Sequence, residues 1–210
     1  MSPFFYVFFL LLLNKETVKF SINLGGVIIL TELELCNGDS LQAKEPMIRR
    51  LGQDDLSVAA QVIRESFTTV ANEFGLTSEN CPTNGAFTQS KHLKVDLEKG
   101  CFLFGVYLGM KMIGFFELVY KENHATLEKV AILPAERGNK YGKFILDKAQ
   151  EIARNDHIKQ IDIGIIKENT RLKRWYQKNG YQIVRSEKYT HLPFVVLFMQ
   201  LNLNDEVTDE

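Results

Sequence analysis

The stretch Leu127–Ala153, LEKVAILPAERGNKYGKFILDKAQEIA, constrains this chain more than any other. Leu127, Val130, Ala131, Ile132 and Leu133 form an apolar run of strand length. Pro134 stops it, because proline has no N–H to give a ladder. The residues Arg137-Gly138-Asn139-Lys140-Tyr141-Gly142-Lys143 follow, and their glycines and small polar members allow a turn that presents several backbone N–H groups in one direction. Phe144, Ile145, Lys148, Ala149, Ile152 and Ala153 then recur three and four apart, which predicts a helix. A helix that starts at such a turn points its positive end and its unpaired N–H groups into the loop. That arrangement suits an anion, and phosphate best.

Spacing excludes two familiar phosphate loops. The P-loop needs four residues between its glycines and a Ser or Thr after its Lys; here three residues separate Gly138 from Gly142, and Phe144 follows Lys143. The dinucleotide fingerprint G-x-G-x-x-G is absent as well. Taken alone, the loop is also compatible with an ordinary strand-turn-helix bearing surface cations.

Charge narrows the partners. The formal net charge is −1 and no long basic run occurs, so nucleic acid is not expected; Lys173, Arg174 and Lys178 read as a solvated helix face. Cys36, Cys81 and Cys101 are odd in number and far apart, and His92, His124, His157 and His191 are scattered. Neither a disulfide framework nor a metal site follows, and a reducing cytoplasm fits best.

Residues 1–46 read as an extension outside the main fold. Phe4–Leu13 is apolar throughout but shorter than the roughly 20 residues of a membrane span. It lacks the preceding Lys or Arg and the following A-x-A site of a signal peptide. An upstream start codon, a hairpin added to the domain and a membrane anchor are three readings of this segment, the anchor being the least favoured.

From Met47 the pattern becomes regular. Ile48–Gly52 reads as a strand, and Asp54 or Asp55 as the cap of a helix running to about Glu73, ended by Gly75. Ser78–Gly85 reads as a loop and Phe87–Lys99 as a second helix. Phe102–Tyr107 and Met112–Tyr120 flank a turn with Gly109 in the bend, a hairpin signal. Ala125–Leu133 is the fourth strand of this series and Ile161–Ile166 the fifth. A short helix, Arg171–Asn179, and two strands, Tyr181–Lys188 and Pro193–Leu201, complete it. Residues 204–210 form an acidic tail for which disorder is expected. The class is α/β in the broad sense.

Two sets of residues carry a family resemblance. Arg137 and Gly142 stand in the register Arg or Gln, two residues, Gly, one residue, Gly or Ala, with Lys140 where the middle Gly would be. Downstream, Asn169, Tyr176 seven residues later, then Gly180 and Tyr181, keep a second spacing, with Leu172 where a small residue is usual. In both, the chain resembles the GNAT superfamily of N-acetyltransferases, over about Met47–Leu203. The resemblance implies a mixed, mostly antiparallel sheet of six to seven strands flanked by about four helices. It implies acetyl-CoA as co-substrate, an amine as acceptor, and leaves a homodimer open.

It also assigns roles. The N–H groups of Gly138, Asn139, Lys140, Tyr141, Gly142 and Lys143 would take the pyrophosphate, with Arg137 near it. The pantetheine arm would pair with the strand at Val130, Ala131 and Ile132, and Asn169 would bond the arm. Glu128, two residues before Val130 and so on the same face by alternation, is the candidate base; its other reading is an ion pair with a neighbouring cation. Tyr176, protonated at neutral pH with a free pKa of about 10, is the candidate acid; its other reading is packing, as for Trp175. Phe67, Phe74 and Phe87 are candidates to shape the acceptor pocket, core packing being their commoner fate. A fold of this family that binds acyl-CoA without turnover is the alternative to an enzyme.

Overall fold

The computed structural model describes residues 17–24, 27–34 and 45–203. The apolar run Phe4–Leu13, Cys36 and the acidic tail lie outside the described residues. The chain divides into two compact units, residues 1–44 and 45–210. In the first, strands β1 (Thr17–Leu24) and β2 (Val27–Glu34) pair antiparallel with Leu24 opposite Val27.

The second unit is a mixed α/β fold built on a seven-stranded sheet. Its strands are β3 (Pro46–Arg50), β4 (Phe102–Leu108), β5 (Lys111–Lys121), β6 (His124–Ile132), β7 (Gln160–Ile166), β8 (Gln182–Lys188) and β9 (Val195–Asn202). Their order across the sheet is β3-β4-β5-β6-β7-β9-β8, and only the β6–β7 pair is parallel. Four helices accompany it: α1 (Leu56–Phe74), α2 (Ser90–Glu98), α3 (Tyr141–Asn155) and α4 (Thr170–Lys178).

Alternation along β5 creates two cores. Phe116 and Leu118 turn to one face and pack with Leu127, Ile161 and Ile163 and with Ile145, Leu146 and Ala149 of α3. Phe115 turns to the other face and packs with Leu103, Ala131 and Leu133 and with Ala59, Val62 and Ile63 of α1 and Leu93 of α2. Each of these large apolar side chains is essentially sealed from water, and burying one contributes about 1.5–3 kcal/mol. Residue 115 against residue 116 is therefore the division between the two layers of helices.

Some boundaries move for local reasons. β3 starts at Pro46, paired with Leu108, and not at Ile48. Asp55 does not cap α1 through its side chain. Its carboxylate accepts from the Gly52 N–H at 3.0 Å and from Arg49 at 2.6 Å, closing a one-turn 3₁₀ segment, Gln53–Asp55. Gly75 ends α1 in the left-handed conformation (φ 61°), which a glycine adopts without steric cost. Phe67 lies flat on Gly85, where an added Cβ would come within 2.4 Å of its ring, so this phenylalanine is spent on packing. Among the described residues no helix is long and apolar enough to cross a membrane.

Candidate functional site

β6 and β7 are joined only over His124–Thr126, opposite Gln160–Asp162. Beyond Thr126 the two strands part, because β7 continues along β9 while β6 continues along β5. The far part of β6 thus has one unpaired edge. Leu133 donates its N–H to Ile113 at 2.9 Å, towards β5. N–H groups alternate along a strand, so Ala131 also faces β5, opposite Phe115. Val130 and Ile132 turn their N–H and C=O groups into the split. Ala131 is thereby removed from the set of residues whose backbone could pair with a ligand there.

A bulge interrupts β6 just before this point. Phe115 stands opposite Ala131 and Glu117 opposite Glu128, so Phe116 alone faces both Lys129 and Val130. Lys129 has φ 50°, a conformation that costs an L-residue about 1–2 kcal/mol. The extra residue cancels the simple alternation. Glu128 and Val130 do not share a face, contrary to the sequence expectation: Glu128 follows Glu117 to the side of α1 and α2, and Val130 packs towards α3. Glu128 remains about half exposed, its carboxylate 4.0 Å from Lys129 Nζ.

The end of β6 leads into a one-turn 3₁₀ segment, Pro134–Glu136, then the glycine turn and α3. Gly138 (φ 89°) and Lys140 (φ 63°) are both left-handed, which curls the intervening backbone and gathers its N–H groups. Among the described residues, none of the N–H groups from Gly138 to Lys143 donates a hydrogen bond to the protein. All of these residues but Asn139 border a cavity of about 390 Å³, lined by Ile132, Glu136, Arg137, Gly138, Lys140–Lys143 and Trp175. Unspent donors at a helix N-terminus beside a cavity form a seat for an anion.

The model of the Acetyltransferase (GNAT) family matches residues 69–181, more than half of the chain. This chain belongs to the GNAT acetyltransferase family. Comparison with curated proteins gives no significant match. Solved structures share the fold at low identity. The ribosomal-protein-S18-alanine N-acetyltransferase from Escherichia coli is 15% identical, with a TM-score of 0.62 over 79% of this chain and 99% of that one. The PaiA N-acetyltransferase from Thermoplasma acidophilum, in complex with coenzyme A, is 23% identical, with a TM-score of 0.61 over 75% and 99%. The yncA protein from Salmonella typhimurium, with its cofactor acetyl-CoA, is 14% identical, with a TM-score of 0.57 over 79% and 98%.

Within this GNAT domain the guanidinium of Arg137, although the residue lines the cavity, is engaged by protein acceptors. Its Nη2 donates to the Ser66 carbonyl at 2.8 Å, its Nη1 to Thr69 Oγ1 at 3.0 Å and its Nε to the Ile132 carbonyl at 3.3 Å. Arg137 is a clamp between the loop, the end of β6 and helix α1. Partial burial and the neighbouring Arg171 lower its pKa, which still leaves a guanidinium charged.

Asn169 is buried and caps α4, its Oδ1 accepting from the Leu172 N–H at 3.0 Å. Its Nδ2 makes no hydrogen bond among the described residues. Tyr176 is 4% exposed and meets Tyr181 edge-on, the ring centroids 5.2 Å apart. Burial raises its pKa well above the ordinary phenol value. The Tyr176 hydroxyl has no protein partner among the described residues either.

Trp175 is the lining residue that sequence reasoning assigned to packing only. It sits one residue, about 100° of helical turn, from Tyr176, so when Tyr176 enters the core Trp175 turns to the loop. Its ring is close enough to Gly142 that an added Cβ would lie 3.1 Å from Cζ2. A side chain at this position would have to push the indole back by a few tenths of an ångström.

On the opposite face, Lys129 Nζ contacts Glu117 Oε2 at 2.5 Å and Asp96 Oδ2 at 3.1 Å. Glu117 is 1% exposed. Burial raises the Glu117 pKa and the Lys129 charge partly offsets the rise. Burial lowers the Lys129 pKa, but Glu117 and Asp96 together more than offset it and leave it raised. Burial and the nearby Glu117 push the Cys101 thiol up to about 11. His191, at the bend before β9, stacks at a tilt on Tyr189, 5.7 Å between centroids, and is not part of either group. Among the described residues no cluster of three His, Cys, Asp or Glu side chains could hold a metal.

Proposed function

We propose that this protein is an N-acetyltransferase that moves the acetyl group of acetyl-CoA to a primary amine of a small molecule or peptide, by direct attack with both substrates bound. The carrying observation is the run of unspent N–H groups from Gly138 to Lys143 on a cavity beside the unpaired edge of β6. A diphosphate satisfies the first and an amide-bearing chain satisfies the second, and the pantetheine-diphosphate of coenzyme A has both. That PaiA and yncA were solved with coenzyme A and acetyl-CoA favours the same ligand.

Bound there, acetyl-CoA supplies a thioester carbonyl open to an amine. Val130 and Ile132 would pair with the arm and Asn169 Nδ2 would donate to it. The Val130 N–H would donate to the carbonyl oxygen as it gains charge. Glu128, exposed on the face of α1 and α2, would take the amine proton, directly or through a water, since only the free lone pair attacks. Tyr176 Oη would give its proton to the departing sulfur. Its raised pKa keeps that proton in place at working pH.

Calorimetry with acetyl-CoA, followed by thiol release with a panel of amines, tests the proposal. Binding with amine-dependent release of one thiol per acetylated product is the expected result. Binding without release from any amine would favour an acyl-CoA-binding module, and no binding would remove the coenzyme altogether.

A further inference from the structure

A glycine would take the bulge conformation of β6 without steric cost, yet a lysine stands there with φ 50°. What the lysine adds is its side chain. It crosses beneath the sheet to a carboxylate on β5, Glu117, and one on α2, Asp96. Glu117 has no other cation within salt-bridge distance among the described residues, and a carboxylate so buried needs one. The pair fixes the spacing of β5 and β6 at the point where one strand carries an extra residue. Asp96 extends the same contact to the helix that lies over this face.

We propose that Lys129 is a positioning residue: its ammonium, seated between Glu117 and Asp96, pins the bulge in the shape that turns the Val130 N–H into the β6–β7 split. This rests on the acetyl-CoA reading above, and it assigns a function to an ion cluster that touches neither substrate. Release of the pin lets the extra residue slide along β6, and the N–H then turns away from the acetyl oxygen while the diphosphate seat is undisturbed.

The test uses the full chain, acetyl-CoA carrying ¹³C at the acetyl carbonyl, and difference infrared spectroscopy. In the native protein the bound carbonyl stretch shifts down from its free value, the signature of a hydrogen bond. Lys129→Met loses most of that shift and about 10- to 100-fold in turnover, as a misplaced donor does, while acetyl-CoA affinity by calorimetry stays within about twofold. Lys129→Arg restores part of both. Because Lys129→Met leaves Glu117 unpaired, the double variant Lys129→Met with Glu117→Gln is measured beside it; it removes the orphan charge and leaves the bulge unpinned, with the same spectral loss. A native protein that shows the carbonyl shift but acetylates no amine keeps this proposal and sinks the transferase reading. An unshifted carbonyl in the native protein, a native shift retained in the double variant, or failure to bind acetyl-CoA overturns it.

Discussion

Between Gly138 and Lys143 the candidate site is made of backbone: six N–H groups with no protein acceptor among the described residues. On the other side of β6 it is made of side chains: Lys129 between Glu117 and Asp96, with Glu128 exposed beside them. The first arrangement depends on conformation, so it tolerates many side chains provided that φ can be positive at two positions. The second depends on the identity of each residue. A common ligand fits the backbone seat, and whatever is particular to this chain belongs to the face of α1 and α2.

The sharpest way to break this comparison is to change Glu128, the one exposed carboxylate of the side-chain region that the proposed chemistry uses. Glu128→Gln is expected to lower turnover about a hundredfold or more, the usual loss of a general base, with acetyl-CoA affinity unchanged. If turnover with a lysine-like amine, whose free pKa is near 10.4, stays within twofold of the native value, Glu128 only pairs with Lys129.

Tyr176 lies at the seam of the two regions. Tyr176→Phe is expected to cost one to two orders of magnitude in turnover and little in affinity for acetyl-CoA. The pH dependence has a definite sign. Burial raises the Tyr176 pKa above the ordinary phenol value of 10.0, so the group keeps its proton as pH climbs. The turnover profile of the native protein should therefore show no descending limb from this residue up to about pH 10. A limb near pH 8 that vanishes in the phenylalanine variant would contradict the assignment.

Arg137 sharpens the comparison from the other direction. A guanidinium on the diphosphate would make Arg137→Met an affinity variant. The clamp to Ser66 and Thr69 makes it a stability variant. The expected loss is about 1–2 kcal/mol in denaturant titration, from three hydrogen bonds by a charged donor that is only partly buried, with acetyl-CoA affinity changed less than threefold. A tenfold loss of affinity at unchanged stability would put the guanidinium back at the phosphate.

How much of this could be read beforehand follows the same division. The glycine turn, the strand before it and the helix after it were legible because each rests on a local rule: Pro134 stops a ladder, Gly138 admits positive φ, and Ile145, Ala149 and Ala153 repeat at helical spacing. The parting of β6 from β7 rests on no local rule, since pairing depends on distant partners. The bulge was not legible at all. Nothing in Glu128-Lys129-Val130 announces an extra residue, and a lysine is a poor advertisement for a left-handed position, so alternation put Glu128 on the wrong face. The Arg137 contacts and the turn of Trp175 towards Gly142 were equally hidden, because both are set by tertiary neighbours.

Lys140 gives the smallest effect and the finest test. It occupies the middle position of the loop pattern, where the family has Gly, and the structure shows why: φ is 63°. Lys140→Gly relieves about 1–2 kcal/mol of left-handed strain and adds about 0.5–1 kcal/mol of chain entropy to folding. The net change in stability should then lie between zero and a gain of about 1.5 kcal/mol. Affinity for acetyl-CoA should fall instead, because an exposed ammonium beside the seat is lost. A single exposed charge contributes at most about 1 kcal/mol, which corresponds to roughly fivefold in Kd. That difference should shrink as salt is raised towards 1 M, where screening acts over about 3 Å. If the glycine variant binds as tightly as the native chain at low salt, the seat is backbone alone; if it loses far more than fivefold, Lys140 grips the ligand directly and the line between the two regions is less clean.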